Sequence, residues 1–540
     1  MPRDEYSQVR PGRLCAIGKD ERRSSHFGGY GGDETPCYSR GVMNEDAVQI
    51  GRPQGFSESG EPALPAESAE PIRSGFALAV SALSAIVLIA ALGAILWLSA
   101  TVPKLDRFGE PTRALELMVS RTMEAQDGLR RSPVWQQLVV EWAVGSNERE
   151  RLQAIQWYRE LVDATGDPAS RLRLAILQGE CGYPQQALDQ ASTWRVLDAP
   201  MPFFGRFIDA AYGTQVLDKT QEMELQAALA ETLPAGWFYN HLAARLAQRA
   251  GDQALLATVE RQIEVRGERL QERSRRLIFV ELACLTVGSV ILLGIVRLRG
   301  QRSDILRLHL PGVPPPWPGQ VGTAVLLRGG ALGAVITVGF LSVPPVEHAS
   351  LRALAIPLAN VPLLALAYTN LLRPAGLNFW SGFGLSLERG QLGRLVGIIV
   401  AVVAAGLWGE WVMARVAEAL NLTNHWTEWF DPDLVWASGS ALTTSLLEYV
   451  VFAPLFEELA FRGLLFALLR RRLTFMPAAV ISAGLFALAH GYGVIGFLSV
   501  LWSGILWAWI YERTGSLVPG IIAHALNNLL VCLAVMALLR

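Results

Sequence analysis

Residues 454–463 read Pro454-Leu455-Phe456-Glu457-Glu458-Leu459-Ala460-Phe461-Arg462-Gly463, placing two carboxylates and a guanidinium in a segment otherwise apolar from Val450 to Leu469. A charge at membrane depth costs roughly 2.5–3.5 kcal/mol on insertion scales, which makes each such residue a functional-site candidate by default. On a helix Glu458 and Arg462 are four apart and share a face, where they neutralise each other. Glu457 points about 100° away around the axis. The spacing gives one carboxylate a structural task and leaves the other for chemistry.

The chain around this stretch is long and apolar: 540 residues, 51% hydrophobic, with a mean hydropathy of +0.28. Uncharged runs account for that value, and they predict an all-α polytopic membrane protein with about nine spans. A net charge of -2 gives no argument for a nucleic-acid partner, and five scattered cysteines carry no CxxC spacing.

Residues 1–73 are rich in Gly, Ser, Glu, Pro and Arg without apolar periodicity, the composition of a disordered tail. Residues 74–101 form an uncharged run long enough to span a ~30 Å bilayer core. From 102 to 276 the chain turns polar with apolar residues at helical spacing, which predicts an inserted soluble helical domain. Its pieces LAILQGECGYPQQAL and LAQRAGDQALL share a loose helix–Gly turn–helix pattern, too imperfect to define a repeat array. A second span is expected at 277–297 and a Pro-rich linker at 298–321, where prolines forbid a helix. Further spans and loops follow over 322–436. The loop NLTNHWTEWFDPDLVW reads as interfacial and its His425 as a surface residue. Glu281, Glu410 and Glu448 read as packing or cavity-facing groups. Arg470-Arg471-Arg472 and Glu512-Arg513 mark one membrane side as cytoplasmic by the positive-inside tendency, with the helical domain opposite. The arginines at 269, 273, 275 and 276 pull against that orientation.

Over 437–540 the polar groups fall at one depth. Glu457 lies 13 residues, or ~20 Å of helix rise, from Arg470, and His490 lies ~20 Å from Pro477, where the chain re-enters. Past the Gly515 turn, His524 is ~14 Å in and Asn528 ~20 Å in, four apart on a shared face. Phe486 stands one turn before His490. Interhelical polar glue explains one such residue more easily than four at a common depth.

Two chemistries suit the set. Glu457, His490 and His524 could hold Zn²⁺ with an open position for water. Alternatively Glu457 with His490 activates water directly, while His524 and Asn528 steady the oxyanion. Both end in hydrolysis of an acyl or peptide bond. HExxH and GxSxG motifs are absent, which removes an ordinary zincin and a serine hydrolase.

EELAFR (457–462), FALAH (486–490) and HALNN (524–528), with the run TGSLVPGIIAHALNN, resemble the motifs of the CAAX-processing and bacteriocin-processing (CPBP, or Abi) intramembrane proteases. The resemblance covers roughly 437–540. It implies a helical membrane peptidase with its site in a membrane-embedded cavity open to the cytoplasm. By motif, Glu457 and His490 would activate water, and His524 and Asn528 would stabilise the tetrahedral intermediate. Glu458, Arg462 and Phe486 would support them. Members are labelled metalloproteases, while a metal-free glutamate mechanism is argued for the prenyl-protein branch, so Zn²⁺ stays open. The expected setting is the plasma (inner) membrane. The expected partners are membrane lipid and a protein or peptide substrate, with the 102–276 domain as a recognition module. The competing reading is a non-catalytic scaffold or bacteriocin-immunity-type protein that binds a peptide in the same cavity. A transporter ranks below both, because no inverted repeat is evident.

Overall fold

The computed structural model describes residues 75–143, 145–299, 306–309, 312–342, 354–386 and 389–540. The expected disordered tail and part of the Pro-rich linker lie outside them. Among the described residues there is no strand. Seven helices among the described residues are long and apolar enough to cross a membrane: 77–101, 253–298, 319–340, 355–372, 392–419, 494–514 and 518–539. The other two expected spans are present but atypical. Phe475–Ala489 is a helix of only 15 residues. The helix from Ser440 to Leu469, which carries the opening motif, is interrupted twice by wide π turns, at Glu448–Phe452 and Glu458–Phe466.

The first span, Gly75–Thr101, leads into a bundle of short helices running from Pro111 to Ala250. Local signals set its punctuation. Asp167 caps one helix through the Ser170 N–H, and Asp218 with Gln221 forms a capping box at Lys219–Thr232. The two Gly-turn pieces each fold as a helical hairpin, turning at Gly182 (φ +94°) and Gly251 (φ +72°). Tyr158, Leu172, Ile176, Phe207 and Leu242 are fully buried between these helices.

One 47-residue helix, Gln253–Arg299, runs unbroken across 276/277, from the expected helical domain into the expected second span. At ~1.5 Å per residue it is ~70 Å long, over twice what a bilayer core requires. His425 is not a surface residue, being 9% exposed, with Nε2 3.1 Å from Glu160 and Nδ1 2.8 Å from Thr427. Its aromatic loop docks into the helical bundle instead of lying free at the interface. Trp426 and Phe430 join the bundle's core and pack on Phe108. Leu539, at the end of the last span, joins the same core. The bundle is thereby seated on the membrane helices, with apolar contact on both sides of the seam.

A buried ionic hub ties the bundle's helices together. His241 Nε2 lies 2.8 Å from Asp127, which also accepts from Trp237 Nε1 at 2.9 Å. His241 Nδ1 faces Glu180 at 3.4 Å, and Glu180 accepts from Arg245 and from the Tyr212 hydroxyl. Burial alone would lower the imidazole's pKa, but hydrogen bonds to Asp127 and Glu180 outweigh it and bring it up to about 9. Glu180, which burial would raise, is held down to about 2 by His241 and Arg245.

The linkage signs follow. His241 stabilises fully below its ordinary 6.5, and that contribution fades as pH rises through about 9. Glu180 stabilises above its ordinary 4.5 and loses that contribution as pH falls toward 2. Melting of the full chain in detergent should therefore weaken between pH 6.5 and 9, by on the order of 2–3 kcal/mol. His241→Gln should flatten that window. An unchanged slope in the variant would remove His241 as its cause.

Candidate active site

The site is assembled from the motif helix, the short helix Phe475–Ala489 and the helices Val494–Thr514 and Val518–Leu539. Pro454 has no N–H to return to the carbonyl of Val450, and the first wide turn falls at that missing bond. The second begins at Glu458, immediately after Glu457. Such i→i+5 turns occur mostly as local bulges and concentrate at functional sites.

Glu458 and Arg462 are both fully buried, and Arg462 Nη1 donates to Glu458 Oε1 at 2.8 Å. Glu458 Oε1 also lies 3.1 Å from His524 Nδ1. The guanidinium is layered between aromatic rings, 4.4 Å from the Phe486 centroid and 5.0 Å from that of Trp507. Trp507 stacks in turn on His524, with 3.8 Å between centroids and 17° between planes. A guanidinium suits this position because it is planar, weakly hydrated and attracted to aromatic faces.

Glu457 is treated differently. Its side chain is 26% exposed, and among the described residues its carboxylate makes no direct hydrogen bond. Its ionic neighbour is His524 Nε2 at 3.7 Å. His524 thus stands between the two carboxylates, one on each ring nitrogen. His490 is held from behind, where its Nδ1 lies 2.8 Å from the Phe486 carbonyl. A carbonyl only accepts, so Nδ1 carries the proton and a neutral His490 presents the Nε2 lone pair. Phe486 links the two imidazoles, with its ring 4.7 Å from His490 and 5.9 Å from His524. Asn528 Nδ2 donates to the Tyr449 carbonyl at 2.9 Å, and the Tyr449 hydroxyl donates to Asp431 at 2.8 Å.

The structure therefore gathers Glu457, Glu458, Arg462, Phe486, His490 and His524 around one aromatic layer, and sets Asn528 against the first wide turn. Sequence reasoning missed Trp507 and the Tyr449–Asp431 support. A tryptophan within an apolar helix gives no sign of which face it occupies. It also missed the hold of Glu458 on His524, which depends on which way an intramembrane side chain turns.

Close packing fixes the layer. A Cβ on Gly504 would come within 2.8 Å of both Ala483 Cβ and Arg462 Nη2. At Gly491 (φ +66°), after His490, the backbone turns in the left-handed region, and a Cβ there would lie 2.6 Å from Ser99 Oγ of the first span. Gly504→Ala should cost roughly 1–3 kcal/mol by overpacking against side chains that cannot yield. Thermal unfolding of the purified variant checks this, and an unshifted midpoint would mean that the layer is loose.

Among the described residues no three His, Cys, Asp or Glu side chains are grouped as ligands of one metal ion. Nδ1 of His490 and of His524 is committed to a protein oxygen, the arrangement that leaves Nε2 as the nitrogen available to a proton, a water or a metal ion. The arrangement brings together a part-exposed carboxylate, an imidazole lone pair, and a second imidazole oriented by a buried ion pair.

No curated protein and no solved structure matches the chain. Residues 439–530 match a family model described as "Type II CAAX prenyl endopeptidase Rce1-like". That segment contains all of the motif residues named above. Over that segment the multi-pass membrane core of this protein is similar to the Rce1-like family of type II CAAX prenyl endopeptidases.

Proposed function

We propose that the chain is an intramembrane endopeptidase that hydrolyses peptide bonds of a protein or peptide substrate with water activated by Glu457 and His490. The observation that carries this reading is the division between two adjacent carboxylates. Glu458 is fully buried and engaged by Arg462 and His524, while Glu457 is a quarter exposed and makes no direct hydrogen bond among the described residues. Two titratable groups held in unlike environments are how acid–base roles become separated.

In this mechanism Glu457 accepts a proton from water as the water oxygen attacks the scissile carbonyl carbon, and the His490 Nε2 lone pair helps orient that water. The carbonyl oxygen becomes an oxyanion. His524 gives Nδ1–H to Glu458, and with a second proton it offers Nε2–H to the oxyanion. The Asn528 amide is a further donor. When the tetrahedral intermediate collapses, the C–N bond breaks and Glu457 returns the proton to the departing amine. Arg462 and Trp507 are positioning residues that hold Glu458 and the His524 ring. The helical bundle seated on the membrane core serves as the recognition module for the substrate.

The test compares protein N- and C-termini in membranes from cells that carry wild type or Glu457→Ala at matched expression. Termini produced only by wild type establish proteolysis and identify the substrate, including whether it ends in a prenylated CAAX-type sequence. Identical profiles, with both proteins folded and the native host conditions reproduced, would overturn the peptidase reading in favour of a peptide-binding scaffold.

A further inference from the structure

We propose that the seam between the helical bundle and the last span holds a binding site for the phosphate headgroup of an anionic phospholipid. A cavity of about 290 Å³ lies there, lined by Arg121, Arg266, Arg269, Leu270, Arg273 and Arg540. Five guanidinium side chains and no carboxylate side chain face it. Glu124, just outside, accepts from Arg121 and Arg266 at 3.0 Å each and so fixes both. Arg540 is tethered to the Leu434 carbonyl at 3.2 Å. Among the described residues, Arg269 and Arg273 make no hydrogen bond or ion pair. Like charges brought together without a counterion repel, and guanidinium forks match phosphate oxygens in geometry as well as charge.

Depth favours a lipid over a free anion. Arg266, Arg269 and Arg273 occupy one face of the long helix at i, i+3 and i+7 spacing. Arg273 stands four residues, ~6 Å of rise, before the apolar stretch that begins at Leu277, which is the level of the headgroup layer. Val280 and Val287 continue the Arg273 face at seven-residue steps, and they are 48% and 54% exposed. A phosphodiester seated among the arginines therefore has an apolar track directly below it for its acyl chains. Basic pockets at the ends of membrane helices are where anionic headgroups bind.

The experiment uses the full chain in neutral detergent. It is titrated with phosphatidylglycerol, phosphatidylcholine or inorganic phosphate, and retained lipid is read by native mass spectrometry with the melting midpoint in parallel. Phosphatidylglycerol should be retained and should raise the midpoint, whereas phosphatidylcholine and phosphate should do neither. Arg269→Gln/Arg273→Gln should melt like wild type without lipid and bind phosphatidylglycerol at least about tenfold more weakly. Arg275→Gln/Arg276→Gln, a pair engaged instead with Glu272, should bind as wild type does. Equal retention of the two lipids, or equal binding by the two double variants, overturns the site. Stabilisation by phosphate alone overturns the lipid assignment and leaves a soluble anion as the ligand.

Discussion

Glu457→Gln is expected to reduce proteolysis by about 10²–10⁴-fold, the range that a positioned general base contributes. The amide keeps the shape of the side chain but cannot take the proton from water. Little stability should be lost, because the native carboxylate is 26% exposed and makes no direct hydrogen bond among the described residues. Substitutions away from such interactions usually stay within about 0.5 kcal/mol. Glu458→Gln is the informative contrast, since its carboxylate is held by Arg462 and His524, so activity and melting midpoint should fall together. The pair is read by product termini in membranes and by unfolding of the purified variants. Wild-type cleavage by Glu457→Gln would remove Glu457 as the base, and an unfolded Glu457→Gln would make it a structural residue.

Arg462→Met should destabilise the protein by about 3–5 kcal/mol, because it strands the fully buried Glu458 carboxylate without its countercharge. It also removes the layer between Phe486 and Trp507. Replacing both members by apolar side chains, Glu458→Leu with Arg462→Met, should recover much of that loss, since a buried pair often does little better than well-packed hydrophobes. The double variant should nevertheless stay inactive, because His524 would have lost the acceptor at Nδ1. Unfolding midpoints of the single and double variants decide the matter. A double variant no more stable than Arg462→Met would show that the aromatic layer, and not the stranded charge, sets the penalty.

What could be read from the chain follows from how each residue announces itself. Glu457, Glu458, Arg462, His490 and His524 stand out because ionisable groups in apolar runs are costly and therefore rare. Their common depth needs only the helical rise. The two wide turns leave no compositional mark beyond Pro454, since they change hydrogen-bond register and not residue type. Trp507 is one of 16 tryptophans, and nothing local separates a ring stacked on His524 from one facing lipid. His425 was misread because its loop lacks periodicity, while the bundle surface that buries it is distant in sequence. The arginines at 269 and 273 first read as topology signals, and only the fold shows that they share a cavity with Arg121 and Arg540.

The unbroken helix Gln253–Arg299 also limits how this protein can change in length. One residue inserted near 270–276 would turn everything beyond it by about 100° and advance it by about 1.5 Å. The bundle and the span would then be out of phase, and with the loop at 424–436 and Leu539 already anchored in the bundle, both could not stay seated. Insertions of about seven residues nearly restore the phase, with a drift of about 20°, but they lift the bundle by about 10 Å. The two halves are therefore geared together, and natural changes in length should collect in the turns of the bundle and spare this shaft.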